Sequence, residues 1–169
     1  MRVVKSLRIY YNLHNMERTV VLIKPDGLQR GLVGEIMHRF ERKGLKLVAI
    51  KMLQLDDAIL DEWYAHHKGK SFFADLKKYM SWTPIVAMVW EGLEGVAAVR
   101  KIIGVTKGRE AEAGSIRGDF AMSGQQNLIH ASDSAESAKK EIGLMFESHE
   151  LFDYSSASEV LVYGAEERN

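Results

Sequence analysis

Residues 127–134 read N-L-I-H-A-S-D-S: a short apolar strand signal closes on His130, small residues follow, and a helix-start signal comes next. An imidazole can act as nucleophile, base or acid near neutral pH. A single histidine on an apolar segment is more often a satisfied core or surface residue, so its chemistry depends on company. Lys24 ends the run R-T-V-V-L-I-K (18–24), in phase with Val20 and Leu22. Arg100 sits beside the Val99/Ile103 stripe, and Arg117 lies between Gly114-Ser115-Ile116 and Gly118-Asp119 in a loop far longer than the usual connection. Thr106 and Asn127 add neutral hydrogen-bonding groups. Each has an ordinary reading: a solvated strand end for Lys24, a stem laid over the core for Arg100, turn and strand-edge chemistry for Thr106 and Asn127.

Glu141 is more telling. It lies three residues after Ala138 and four before Met145, at the edge of a buried stripe where an unpaired carboxylate is expensive. Its helix begins just after His130, with Asp133 and Glu136 spaced like a capping box, so a Glu141–His130 contact is within reach. A carboxylate there would fix one ring nitrogen and leave the other to act. The competing reading pairs Glu141 with Lys139 or Lys140 at the surface.

The elements that must position these groups follow from periodicity. A β-branched strand at 18–24 stops at the Pro25-Asp26-Gly27 turn; a helix stripes Val33, Ile36, Met37 and Phe40 and ends at Gly44. A second strand spans 46–55, a mostly helical stretch 56–80, and a third strand 83–90. A helix near 95–103 turns Val96, Val99 and Ile103 inward. A Gly-rich loop fills 104–119, a short strand 127–131, and a last helix 136–147 buries Ala138, Ile142, Met145 and Phe146. This order predicts an α+β, ferredoxin-like βαββαβ sandwich with a four-stranded antiparallel sheet and extra helices. Strands one and three are apolar on both alternating faces, so both sheet faces should be covered.

The chain has 169 residues, 46% apolar and 27% charged, which fits one globular domain. Lys plus Arg and Asp plus Glu both total 23, so no overall field holds a polyanion or an anionic membrane, and any anion site must be local. Nucleic acid and membrane are not expected partners. The absence of cysteine removes thiol catalysis and thiolate metal sites and fits a cytoplasmic setting. A metal centre on His66-His67 lacks a third ligand at recognisable spacing. Residues 1–15 read as an N-terminal extension of unknown role ahead of a start-like Met16, with Val4, Leu7 and Tyr11 at helical spacing and no run long enough for a signal-peptide core. Residues 16–169 then form the domain.

Five ordered blocks carry a family resemblance: E-R-T-V-V-L-I-K-P-D-G-L-Q-R-G-L-V-G-E-I (17–36), W-Y-x-x-H-K-x-K-S-F-F (63–73), P-I-V-A-M-V-W-E-G (84–92), G-S-I-R-G-D-F (114–120) and N-L-I-H-A-S-D-S (127–134). Together they resemble nucleoside diphosphate kinase, from about Met16 to Tyr163. The resemblance implies that His130 becomes phosphorylated and that Lys24, Arg100, Thr106 and Arg117 bind phosphate, Lys24 reaching the sugar as well. It implies Asn127 at the ribose 3′-hydroxyl, Tyr64 near the histidine, Phe72 with Leu76 as the clamp under the base, and Ser132 and Glu141 as supports behind the histidine.

The implied reaction is a ping-pong transfer of the γ-phosphate of a nucleoside triphosphate, typically ATP, to a nucleoside diphosphate, with Mg²⁺ and broad base tolerance. Three cations and Mg²⁺ would offset the triphosphate while an imidazole, neutral near pH 7, attacks in line. No GxxxxGK[ST] cradle is present. A homohexamer is implied, with a tetramer as second choice.

The chain departs from the family pattern at Gly108 and Ala113, where prolines are usual, which predicts a more mobile loop. Gly124 replaces an apolar residue beside the base, which predicts weaker nucleotide affinity, and Ala131 a glycine after the histidine. The alternatives are a catalytically weak nucleotide-binding scaffold of the same family, although no catalytic position is substituted, and a nucleic-acid-binding sheet, whose basic aromatic face is missing here.

Overall fold

The computed structural model describes residues 16–168, and the expectation for residues 1–15 falls outside them. Strand β1 (Met16–Ile23) leads into a one-turn helix α1 (Pro25–Gln29), then α2 (Val33–Lys43) and β2 (Lys46–Leu53). Helices α3 (Asp57–Trp63) and α4 (Phe73–Met80) precede β3 (Ile85–Leu93) and α5 (Gly95–Ile103). A short helix α6 (Ile116–Phe120), strand β4 (Ile129–Ala131), α7 (Ala135–Met145) and a final turn of helix α8 (Glu159–Val162) complete the order.

The strands form one sheet in the order β2-β3-β1-β4, every pair antiparallel, which is the ferredoxin-like sandwich that the element order predicts. Period-two alternation splits β1 between two cores. Val21 and Ile23 face Ile36 and Phe40 of α2, Val99 and Ile103 of α5, and Ile116 of α6. Val20 and Leu22 face Leu60 and Trp63 of α3, Met80 of α4, and Met145 of α7. Helices of the same chain therefore cover both faces of the sheet over β1 and β3, while Ile50 and Met52 on the edge strand β2 stay exposed.

Local departures from the sequence expectations have local causes. The Pro25-Asp26-Gly27 turn folds as α1, with proline at the helix start where its missing N–H is not needed. The expected loop 104–119 contains a 3₁₀ turn at 108–110 and the start of α6, whose N-cap Ser115 accepts from the Gly118 amide at 3.1 Å. Ser134, not Asp133, caps α7, accepting from the Ser137 amide at 3.0 Å. The last strand is shorter than expected because Leu128 takes φ 71°, a left-handed conformation that breaks the pairing before Ile129.

Gly108 has a packing role that its replacement of a proline does not suggest. A Cβ there would stand 2.3 Å from the Ala121 carbonyl oxygen, and the Gly108 amide donates to the Ser123 carbonyl at 3.2 Å. Glycine lets the two arms of the loop touch backbone to backbone, and a proline in this arrangement would lose the donor.

Candidate active site

His130 is the central residue of β4 and pairs with Leu22 across the β1–β4 ladder. Alternation sends Ile129 and Ala131 into the α2/α5 core and turns the imidazole toward the opposite face, where α3 and α7 lie. There Nε2 of His130 stands 2.9 Å from Oε1 of Glu141 on α7. The same oxygen accepts the indole N–H of Trp63 at 2.9 Å, and the other carboxylate oxygen accepts from the Ser132 hydroxyl at 2.5 Å. Ser132 Oγ in turn accepts from the Val20 amide at 3.1 Å, which ties the cluster to the sheet. Trp63 meets the imidazole edge-on, ring centroids 4.8 Å apart.

Burial pushes the Glu141 carboxyl upward, but the hydrogen bonds from His130, Ser132 and Trp63 and the adjoining imidazole outweigh it and hold the group below its ordinary range. Glu141 is therefore an ionised acceptor. The surface alternative for it does not occur, since Lys140 pairs with Glu136 one turn earlier on α7.

A second cluster gathers the cations. Lys24, immediately after β1, donates to Asn127 Oδ1 at 2.7 Å; the Asn127 amide donates to the Thr106 and Gly124 carbonyls at 2.7 and 2.8 Å. Arg117, on α6 and 6% exposed, donates to the carbonyls of Gly104 (2.8 Å), Ile129 (2.6 Å) and Asn127 (3.3 Å). It thereby knits the long loop to the histidine strand. Burial, then the Arg117 charge, lowers Lys24 to about 8 against the opposing pull of Asp26. Burial and the nearby Arg100 lower Arg117 to about 10. Two cations, each lowered by burial and by a neighbouring guanidinium, make a site that an anion would relieve.

One cleft of about 920 Å³ is lined by these groups together with Phe72, Leu76 and His67. Lys24, Tyr64, Phe72, Leu76, Arg100, Thr106, Arg117, Asn127, His130 and Glu141 all reach it; Ser132, the remaining residue that the resemblance assigns to the site, is fully buried behind Glu141. Tyr64 stacks on Trp63 (4.4 Å) and on His67 (5.8 Å), and His67 meets Phe72 edge-on at 5.2 Å. Burial and the Glu141 charge push the Tyr64 phenol well up, so it stays neutral. Among the described residues no group of three His, Cys, Asp or Glu side chains is disposed to hold a metal ion.

Sequence reasoning missed two contributors. Trp63 enters the sequence reading only within the block 63–73, and only the fold brings its N–H to Glu141. Asp26 reads as a turn residue; its Oδ2 accepts the Leu128 amide at 3.1 Å and its Oδ1 accepts from the Tyr79 hydroxyl at 2.5 Å. Both lie inside the blocks that carry the family resemblance, but neither composition nor hydrophobic period gives them a role.

Residues 17–151 match the family model described as nucleoside diphosphate kinase. Curated relatives include the nucleoside diphosphate kinase of Staphylothermus marinus, 54% identical over 83% of this chain and 99% of that protein, and human nucleoside diphosphate kinase A, 52% identical over 88% of this chain and 98% of that one. Among solved structures, a halophilic nucleoside diphosphate kinase from Halobacterium salinarum in complex with CDP superposes with a TM-score of 0.85 at 42% identity, over 88% of this chain and 99% of that one. A nucleoside diphosphate kinase family protein from Babesia bovis gives 0.84 at 43% identity, over 87% and 99%.

Proposed function

Because the chain belongs to the nucleoside diphosphate kinase family and is an enzyme of that activity, we propose that it carries the phosphoryl group between nucleotides on His130. The observation that supports this most directly is the Nε2–Glu141 hydrogen bond of 2.9 Å at the end of a cleft lined by Lys24, Arg100 and Arg117. An ionised carboxylate can only accept, so it keeps the proton on Nε2 and leaves the Nδ1 lone pair as the nucleophile.

In the first half-reaction Nδ1 attacks the γ-phosphorus of a nucleoside triphosphate, typically ATP. The N–P bond forms, the bond from phosphorus to the β–γ bridging oxygen breaks, and the electron pair leaves on the β-phosphate of the diphosphate. Glu141 stabilises the positive charge that develops on the ring. Lys24, Arg100, Arg117 and Thr106 hold the phosphates in line, Asn127 and Lys24 meet the sugar, and Phe72 with Leu76 supports the base. Tyr64 bounds the cleft beside the imidazole. A second nucleoside diphosphate then reverses the step and takes the phosphoryl group.

Magnesium fits this donor set as part of the nucleotide: the cleft presents cations and neutral donors to a phosphate chain, and Mg²⁺ bound to phosphate oxygens would reduce the charge those side chains must offset. The ion would be held through the nucleotide by the residues that hold the phosphates, Lys24, Arg100, Thr106 and Arg117.

Incubation with γ-labelled ATP tests the reading. Protein-bound label should be acid-labile and base-stable, and His130→Ala should abolish both the label and nucleotide exchange while leaving the fold intact. Retained label in that variant overturns the assignment.

The proposal extends to residues 16–169 as the catalytic domain, to a cytoplasmic setting in keeping with a cysteine-free chain, and to a homohexamer. Exposed apolar side chains support assembly: Ile50 and Met52 on the edge strand β2, Val105 in the long loop and Met122 just after α6.

A further inference from the structure

The left-handed turn at Leu128 lies between Asn127 and His130; the Ile129 amide donates across it to the Asn127 carbonyl at 2.8 Å and Arg117 holds the Asn127 and Ile129 carbonyls, which leaves Leu128's own amide and carbonyl to segment 24–26. The Leu128 amide donates to Asp26 Oδ2 at 3.1 Å and its carbonyl accepts the Lys24 amide at 2.8 Å, so segment 24–26 grips the residue through both of its backbone groups. Gly27 lets that segment lie flush, since a Cβ there would stand 2.9 Å from the Leu128 oxygen. Leucine disfavours φ 71°, so the contacts to segment 24–26 add to the Ile129–Asn127 bond and the Arg117 bonds in holding the turn against relaxation toward an extended backbone. Relaxation would rotate Asn127 against His130. Asp26 is itself held: its other oxygen accepts the Tyr79 hydroxyl at 2.5 Å, from the far end of α4. None of Asp26, Leu128 and Tyr79 lines the cleft.

We propose that Tyr79 and Asp26 are positioning residues for phosphoryl transfer, locking the Leu128 turn so that Asn127 and His130 keep the spacing the reaction needs. This rests on His130 being the nucleophile. The pair touches neither base nor phosphate, so its contribution belongs to the rate of the chemical step for any phosphoryl donor, not to recognition of the base.

The test measures phosphohistidine formation by rapid quench at saturating donor, below the pH at which Lys24 titrates, with ATP and with ribose 5-triphosphate, which lacks a base. Tyr79→Phe should slow both donors alike by roughly tenfold, short of the ~100-fold that a 1 Å misplacement brings, with little change in the apparent affinity for ATP. Asp26→Ala should slow both further. Asp26→Asn, whose amide can still accept from Leu128 and can donate to the Tyr79 oxygen, should recover most of the rate. A folded Tyr79→Phe protein with an unchanged rate overturns the inference. So does a loss confined to ATP affinity with the ribose 5-triphosphate rate untouched, because Tyr79 would then only seat α4. If Asp26→Ala does not fold, Tyr79→Phe decides the matter. Label that survives His130→Ala defeats the underlying assignment instead, and the two failures are therefore distinct.

Discussion

Nε2 of His130 and Oε1 of Glu141 are 2.9 Å apart, and that oxygen also takes the Trp63 indole N–H. A carboxylate that is 8% exposed is thus surrounded by three donors, counting Ser132, and each would be left without an acceptor if it were removed.

Glu141→Ala should therefore lower stability near neutral pH by about 1–3 kcal/mol and slow phosphohistidine formation by disordering the imidazole. The folded carboxyl has its pKa depressed, so its contribution is present above the unfolded value of ~4.3 and is lost as pH falls through the folded value. Urea melts of wild type and variant should differ most near pH 7 and converge in acid. A difference that grows on acidification would show that Glu141 is not the ionised acceptor.

Lys24 should make nucleotide binding pH-dependent. With its ammonium lowered to about 8, the free protein loses this charge as pH rises through that value, and a bound polyphosphate pulls the proton back. Near pH 8 and above, binding should take up a proton, read by calorimetry in buffers of different ionisation enthalpy, and affinity should weaken by up to about tenfold per pH unit. For folding the sign is opposite: the folded pKa lies below the unfolded ~10.4, so stability rises with pH between the two. Lys24→Met should abolish the proton uptake.

Arg117→Ala should cost both rate and stability. Loss of phosphate positioning is expected to remove on the order of 2–4 kcal/mol of transition-state stabilisation. Loss of the guanidinium's bonds to Gly104, Asn127 and Ile129 should lower the folding free energy by about 2–3 kcal/mol. Steady-state kinetics and thermal melts on one preparation separate the two. An unchanged kcat/KM would remove Arg117 from the site.

Gly108→Ala tests the contact between the loop arms. The added Cβ would lie 2.3 Å from a carbonyl oxygen, and displacing that backbone should destabilise by about 1–3 kcal/mol. A denaturation midpoint equal to wild type would mean that the arms separate freely.

Light scattering at micromolar concentration tests assembly. A hexamer is expected, with a tetramer as second choice, and a monodisperse 19 kDa particle with full activity would show that the chain works alone. α2 and α5 on one face and α3, α4 and α7 on the other cover the central strands, so the part of the sheet left for a partner is the β2 edge, where Ile50 and Met52 are exposed.

The sequence by itself determined the elements and most of the cleft. Hydrophobic period distinguishes β1 and β3 from α2, α5 and α7, because burial on a sheet or a helix demands those repeats of the chain. Glu141 also announces its need for a donor, since an acid on a buried stripe requires one. Only the tertiary structure decided which donors answer. Trp63 is 78 residues from Glu141 in the chain and Asp26 is 102 from Leu128, so neither hydrogen bond leaves a local pattern. The left-handed Leu128 is likewise invisible, since leucine has no preference for that conformation and holds it through long-range partners: Asp26 and Lys24 on its own amide and carbonyl, and Arg117 on the carbonyls of its neighbours. Local sequence sets which segments can bury a face, whereas the placement of one side chain against another depends on how the whole sheet closes around them.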